Sequence, residues 1–113
     1  MAKRQLYIGS DFGGLNFYEE DGSAMTAAPY VTLHDRLRNK YYVADIVTPN
    51  ADGKSYDAVF SSGITTNMSE GPHHLVVFAD STMKAIRYRE QDFCIAMTVP
   101  PSPGQINDSG SES

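Results

Sequence analysis

The stretch from Gly71 to Val99 constrains the fold more than any other part of the sequence. Apolar residues recur at every second position in 74–79 and again in 93–99, and a polar corner, Asp80–Thr82, separates the two runs. Alternation with a period of two predicts β-strands that keep one face on a core. The second run is apolar or small on both faces, which is typical of a strand well inside a sheet. The stretch therefore predicts a central hairpin of an all-β core.

Shorter strand-like segments fill the rest of the chain up to residue 99. The clearest hairpin signal is Glu20–Ser23, because its Asp-Gly pair supplies the type I′ turn that matches strand twist. Strands are expected at 3–9 (or an extended arm there), 15–19, 24–28, 30–34, 41–47, 55–61, 73–79, 83–88 and 92–99, with turns or loops at 35–40, 50–54 and 89–91 and a helical turn or loop at 64–69. Turn signals about every 8–12 residues favour a β-sandwich, with a small barrel as the alternative.

At 113 residues the chain is expected to form one domain. Its composition divides it into residues 1–9, an N-terminal arm or first strand, residues 10–99, the β-sandwich domain, and residues 100–113, an extended tail. The tail opens with Pro100–Gly104, which is incompatible with a strand, and continues with Ser, Gly, Asp and Glu. Such a composition normally stays disordered in isolation.

Charge and apolar content argue against several classes of partner. The formal net charge is −5 and the basic residues are scattered among acids and tyrosines, which disfavours nucleic acid and anionic membrane surfaces. No apolar run approaches the roughly 20 residues of a membrane helix, and no signal peptide is recognisable. Cys94 is the single cysteine and falls in an expected strand, so we expect a buried, inert thiol in a protein made in a reducing cytoplasm.

No residue pattern indicates catalysis. The histidines are His34, His73 and His74, and no Gly-x-Ser-x-Gly elbow accompanies them, so a hydrolase triad is not indicated. His73 and His74 are adjacent, so on a strand they point to opposite faces and do not easily share a metal ion. We expect surface or satisfied histidines. With no phosphate loop or dinucleotide fingerprint either, we expect no enzyme activity, no cofactor and no metal site.

Contacts with partner proteins are the remaining candidates. Tyrosine suits contact surfaces, and adjacent Tyr41 and Tyr42 must face opposite ways on a strand. Ordering residues 100–113 would cost roughly 14–28 kcal/mol, and a free monomer has little apolar surface there to offset it. We therefore expect neighbouring subunits to hold the tail and the arm. The residues expected to make these contacts are Leu6, Tyr7, Tyr41, Tyr42, Pro101, Pro103 and Ile106.

Four spaced motifs follow one another across residues 15–99. They are Phe17-x3-Asp21-Gly22, Tyr30-Val31-Thr32-Leu33-x-Asp35, Asp52-Gly53-x-x-Tyr56-x-Ala58 and Gly71-x-His73-x-Leu75-x-Val77. Their order resembles the small immunoglobulin-like virion proteins of tailed bacteriophages. In such modules the Asp-Gly pairs close hairpins and a Gly-x-aromatic element opens a core strand; here His73 takes the place of the aromatic. The resemblance implies a single immunoglobulin-like β-sandwich of seven to nine short antiparallel strands and no catalytic residues.

The resemblance also implies a function. The chain would be a structural virion protein, a capsid decoration or head–tail accessory subunit, made in the host cytoplasm and located in the virion. Its partners would be the major capsid protein or the portal and tail proteins, in a homo-oligomer or a multi-copy assembly. The alternative is a stand-alone ligand-binding β-module of carbohydrate type that uses tyrosines on one sheet face. A third class, a small hydrolase, requires a cleft in which His34, His73 or His74 meets a carboxylate.

Overall fold

The computed structural model describes residues 4–98, and in that range the chain folds into eight strands and one short helix. The elements are β1 (Arg4–Tyr7), β2 (Phe12–Phe17), β3 (Tyr30–Asp35), β4 (Lys40–Val43), β5 (Ile46–Pro49), β6 (Tyr56–Phe60), α1 (Ser62–Thr65), β7 (Gly71–Phe78) and β8 (Ile86–Met97). The expected all-β class is confirmed. The tail expected at residues 100–113 lies outside the described residues.

The strands form two sheets that pack against each other. The larger sheet has five strands in the order β1-β8-β7-β3-β4, and the smaller sheet has three in the order β2-β6-β5. One buried apolar cluster joins the sheets, because both contribute side chains to it. Its members include Phe12, Leu15, Val31, Leu33, Ala58, Phe60, Leu75, Val77 and Phe93. Removing this apolar surface from water is the main force that holds the two layers together.

The hairpin expected between Gly71 and Val99 is present as β7 and β8, which pair antiparallel. β7 lies between β8 and β3, and every residue from His73 to Phe78 is buried. Both faces of this strand are therefore covered, as its near-continuous apolar sequence predicts.

The turn expected at 89–91 is wrong, since these residues lie inside β8. The partners of His73 and Leu75 on β8 are Cys94 and Glu90, so the register shifts between them. Asp92 has a φ of 51°, and together these features mark a β-bulge. The residues of β8 before the bulge are mostly exposed. Because they need no apolar face, their sequence is polar and resembles that of a turn.

The N-terminal segment is a strand of the larger sheet and not a free arm. β1 pairs in parallel with β8, from Arg4 opposite Cys94 to Tyr7 opposite Met97. This pair corrects the expectation of purely antiparallel strands. A parallel pair needs a long connection between its strands, and here almost the whole domain supplies it. Leu6 is fully buried, which ties the segment to the core.

The hairpin expected at Glu20–Ser23 forms a turn but not a hairpin. Gly22 has a φ of 83°, and the Ser23 amide donates a hydrogen bond to Asp21 Oδ1 at 2.9 Å. Residues 24–28, however, form no strand, and β2 pairs with β6 instead. Residues 24–28 carry few large apolar side chains. Pairing of β2 with β6, which places the apolar side chains of both strands in the core between the sheets, therefore prevails over the local turn signal.

Two other expected turns do close hairpins. The turn at 50–54 joins β5 to β6, and the turn at 35–40 joins β3 to β4. Gly53 has a φ of 71° and Asn39 a φ of 53°, conformations that Gly and Asn adopt more readily than other residues.

The expected helical turn is α1, which begins slightly before residue 64. The Thr65 hydroxyl donates to the Ser10 carbonyl oxygen at 2.7 Å and accepts from the Gly9 amide at 3.1 Å. The Ser62 amide at its start donates to Asp11 Oδ1 at 2.8 Å. These contacts fix the helix to the connection between β1 and β2, because each satisfies a polar group that the chain would otherwise leave unpaired.

Candidate functional site

A wide groove opens between β2 and the β7–β8 hairpin, with a volume of about 1270 Å³. Leu15 and Phe17 of β2 lie along one side, and Leu75, Val77 and Phe93 lie along the other. These residues also belong to the core cluster or pack against it, so the floor of the groove extends the apolar core to the surface. Concave apolar surface of this kind is suited to binding.

The rim of the groove is polar and carries two exposed tyrosines, Tyr18 and Tyr88. The Arg87 guanidinium donates to Glu19 Oε2 at 2.6 Å, and the Tyr88 hydroxyl donates to Glu90 Oε1 at 2.6 Å. The hydrogen bond to Glu90, followed by burial, raises the pKa of Tyr88 above its usual value. An apolar floor inside a polar rim with aromatic residues is the usual anatomy of a protein contact surface.

One edge of β8 is open beside this groove. β1 pairs with β8 only from Cys94 to Met97. None of the described residues forms a backbone ladder with that edge at residues 86–90. An open strand edge displays N–H and C=O groups to which another chain can add a strand.

A polar cluster lies buried at the end of β3. The Asp35 side chain is 1% exposed, and its carboxylate accepts hydrogen bonds from the Leu37 amide at 3.1 Å and the Arg38 amide at 3.3 Å. The Arg38 guanidinium donates to the other carboxylate oxygen at 2.9 Å. Burial acts to raise the pKa of Asp35, but the hydrogen bonds and charge of Arg38 outweigh it and hold the pKa below its usual value. The charged carboxylate therefore organises the β3–β4 turn.

The sequence pattern predicts only a polar loop or turn at 35–40 and does not indicate this role of Asp35. A signal for it exists in the sequence, since an Asp at the end of a strand often accepts hydrogen bonds from backbone amides two and three residues later. Burial of the carboxylate follows from packing between strands, which that local pattern does not contain.

His73 lies against Asp35 and is fully buried. Its Nδ1 is 3.0 Å from the Gly71 carbonyl oxygen, a contact in which Nδ1 must carry the proton. Its Nε2 lies 4.0 Å from Asp35 Oδ2 and has no hydrogen-bond partner among residues 4–98. The expectation of a surface or satisfied histidine is therefore wrong for His73. Burying an unpaired polar atom costs about 1–3 kcal/mol.

His74 points to the opposite face of β7, as its adjacency to His73 predicts. It pairs across strands with His34 and is 6% exposed. Its Nε2 is 3.7 Å from Asp92 Oδ1, which is beyond hydrogen-bonding distance. Within the described part of the chain, no histidine forms a hydrogen bond with a serine, threonine or cysteine, so no hydrolase triad is assembled there.

Cys94 is fully buried on β8, as expected. Burial raises the pKa of its thiol to about 12, although the nearby Arg4 acts in the opposite direction. The thiolate is the reactive form of cysteine, so at neutral pH this thiol is inert, as the sequence predicts.

The structure separates the residues expected to contact partners. Leu6 is fully buried. The expectation that it contacts a partner is therefore wrong, because pairing of β1 with β8 places this side chain in the core of the domain. Tyr41 is exposed, whereas Tyr7 and Tyr42 are half-buried. Tyr41 stacks on His34 and Tyr42 packs near His73, so the adjacent tyrosines do face opposite ways. The other three residues expected to make contacts, Pro101, Pro103 and Ile106, lie outside the described residues.

In residues 4–98, no three His, Cys, Asp or Glu side chains converge as metal ligands would. No helix in that range has the length and apolar character needed to cross a bilayer. No protein-family model, curated protein or solved structure matches the chain.

Proposed function

We propose that this chain is a structural virion protein of a tailed bacteriophage, either a capsid decoration or a head–tail accessory subunit, and not an enzyme. The proposal takes the fold as an immunoglobulin-like β-sandwich, which two packed sheets of short strands support. The four spaced motifs of the sequence support the choice of phage modules. The partners are capsid, portal or tail proteins, and the chain is present in many copies in the virion.

The groove beside an open strand edge is the observation that carries the proposal. The two features lie together, since Tyr88, Glu90 and Phe93 line the groove and belong to β8. Ile86, where β8 begins, is 47% exposed. A neighbouring subunit that adds a strand to this edge would gain backbone hydrogen bonds and cover the apolar floor in one step. A subunit held in this way needs no catalytic groups.

The other end of β8 supplies a second contact region. Met97 lies beside Tyr7, and the Ile8 amide donates to the Met97 carbonyl oxygen at 2.8 Å. Residues 100–113 follow from this end, whereas the open edge starts at Ile86. The strand between them has 12 residues and spans roughly 36–40 Å at about 3.3 Å per residue. Contact regions at opposite ends of a module permit head-to-tail association between neighbours.

A matched pair of substitutions tests the open edge of β8. Ile86→Asp places a charge at the open edge of β8, and Ile46→Asp makes the same change on β5 at a residue of nearly equal exposure, 47% against 45%. We expect Ile86→Asp to abolish incorporation into phage particles and Ile46→Asp to preserve it, because a desolvated charge disfavours only the buried interface. Immunoblots of purified particles measure incorporation, and thermal melts show whether both variants fold.

Deleting residues 100–113 tests the second contact region. We expect the melting temperature to stay close to that of the full chain and incorporation to be lost. Equal incorporation of the two isoleucine variants, or normal incorporation of the truncated chain, would contradict the proposal.

A stand-alone carbohydrate-binding module is the second candidate, and the exposed Tyr18 and Tyr88 at the groove favour it. Aromatic rings beside a polar rim can pack against a sugar while the rim hydrogen-bonds its hydroxyls. A glycan array probed with the purified full chain separates the candidates. Saturable binding that Tyr88→Ala removes would favour this second function over the virion role.

A further inference from the structure

A separate pocket of about 350 Å³ lies on the face of the larger sheet that points away from the smaller one. Strand neighbours bring its lining together: His34 of β3 pairs with Tyr41 of β4 on one side and with His74 of β7 on the other. Arg36, just after β3, and Arg89 of β8 complete the charged part of the wall. The groove of the proposed function lies on the opposite face, so this pocket is a distinct site.

The pocket gathers positive charge that the protein does not neutralise. Neither Arg36 nor Arg89 forms an ion pair or a side-chain hydrogen bond with any residue in 4–98, whereas Arg38 and Arg87 are each paired with a carboxylate. Both unpaired arginines are exposed. The chain has a net charge of −5, so two unpaired guanidinium groups at one concave site make this region locally positive on an acidic protein.

His74 provides an independent sign of a ligand site. It lines the pocket and is 6% exposed, yet its ring makes no hydrogen bond with any described residue, and Asp92 is too distant at 3.7 Å. Buried polar groups are normally hydrogen-bonded. The neighbouring His34, by contrast, lies 3.1 Å from Asn39 Oδ1 and stacks on Tyr41 with 4.0 Å between ring centroids. His34 is therefore held in place by its neighbours, whereas His74 has no hydrogen-bond partner among the described residues.

We propose that this pocket binds an oxyanion group, a phosphate or a carboxylate, of a small ligand, held by Arg36 and Arg89 with His74 as a further hydrogen-bond donor. The planar guanidinium fork matches both kinds of oxyanion. The volume lies near the lower end of the range for ligand pockets, so it suits a small molecule and not a polymer. The proposed virion role does not require this site, so a failure of either proposal leaves the other unaffected.

The charges around His74 give the site a pH dependence. Burial is the largest cause that lowers the pKa of His74, followed by the charge of Arg36, while Asp92 acts in the opposite direction. The ionisable groups that face it are His34 and Arg36 at β3, Tyr41 on β4, and Arg89 and Asp92 on β8. Burial and Arg36 therefore favour the neutral ring of His74 when the pocket is empty. A bound anion favours the protonated ring, so by linkage the anion binds more tightly as the pH falls.

Titration of the ¹⁵N-labelled full chain tests the proposal, with inorganic phosphate and sodium acetate as separate probes at constant ionic strength. We expect saturable shifts of the His74 and Arg89 signals with at least one probe, and the probe that binds more tightly identifies the class of oxyanion. Arg36→Gln combined with Arg89→Gln should weaken that binding by about tenfold or more, because the charge-assisted hydrogen bonds are lost. Arg87→Gln, which removes an arginine charge from the groove rim, should leave it unchanged.

A second titration follows binding of sulfate, whose charge is constant between pH 5.5 and pH 7.5. We expect binding about threefold or more tighter at the lower pH in the wild type, with a smaller dependence in His74→Gln, where His34 is the histidine that remains in the pocket wall. Failure of both phosphate and acetate to give saturable shifts overturns the proposal. Binding that the double arginine variant retains, or that Arg87→Gln weakens equally, also overturns it.

Discussion

Two arginine–carboxylate pairs of this protein lie in different surroundings. Arg38 and Asp35 are 2.9 Å apart with the Asp35 side chain 1% exposed, whereas Arg87 and Glu19 are 2.6 Å apart with the Glu19 side chain 34% exposed. The shorter distance belongs to the pair that water reaches. An exposed ion pair contributes little to stability, while a buried carboxylate that loses its partners is strongly destabilising. The burial of the carboxylate, and not the length of the ion pair, decides how much each pair contributes to stability.

The two carboxylates also differ in their other hydrogen-bond partners. Asp35 accepts two backbone amides of the β3–β4 turn besides Arg38, and it lies beside the buried His73. The Glu19 carboxylate accepts a hydrogen bond from Arg87 and from no other residue in 4–98. The interior pair is thus part of the fold. The rim pair can exchange its groups for those of a partner in the groove without disturbing the fold.

The largest expected effect comes from Asp35→Ala. This change leaves two backbone amides and the Arg38 side chain without their shared acceptor, so we expect the free energy of unfolding to fall by about 3 kcal/mol or more. Urea denaturation at pH 7 measures it. Glu20→Ala is the control, because it removes the same charge from an exposed side chain and should change stability by less than about 0.5 kcal/mol. Equal stability of the two variants would show that burial of the Asp35 carboxylate does not make it more important to the fold than an exposed carboxylate.

The pH dependence of stability distinguishes the buried Asp35 from the exposed carboxylates. The folded pKa of Asp35 lies below its usual value of 3.8, so its contribution is fully present above that pH and is lost as the pH falls through the folded pKa. The exposed Asp21, Asp45, Asp52 and Asp80 also have lowered pKa values through hydrogen bonds. Asp35→Asn keeps one acceptor oxygen for the two turn amides but does not titrate. We therefore expect urea melts between pH 6 and pH 3 to show a smaller loss of stability in this variant than in the wild type, and parallel losses would contradict the assignment.

The sequence predicted the parts of this fold that depend on local pattern. Alternation in 74–79 and 93–99 placed the β7–β8 hairpin, and the Asp-Gly pair at Asp52 placed the β5–β6 turn. It did not predict the parallel partner of β1 or the bulge at Asp92, because both depend on which distant strands share the core. The candidate site depends even more on such pairing. The opposite directions of His73 and His74 follow from the period of a strand, but Asp35 beside one and Arg89 near the other follow only from the sheet order.

The smallest expected effect concerns the rim pair. In a double-mutant cycle of Glu19→Gln and Arg87→Gln, we expect a coupling energy below about 1 kcal/mol that decreases as salt is added, since both side chains are about one-third exposed. The matching cycle of Asp35→Asn and Arg38→Gln should give a larger coupling with weaker salt dependence, because water reaches the Asp35 carboxylate so little. Urea denaturation of both sets at low and high salt provides the measurement. If the rim coupling equals or exceeds the interior one, Glu19 and Arg87 are structural, and a partner entering the groove would have to bind without displacing them.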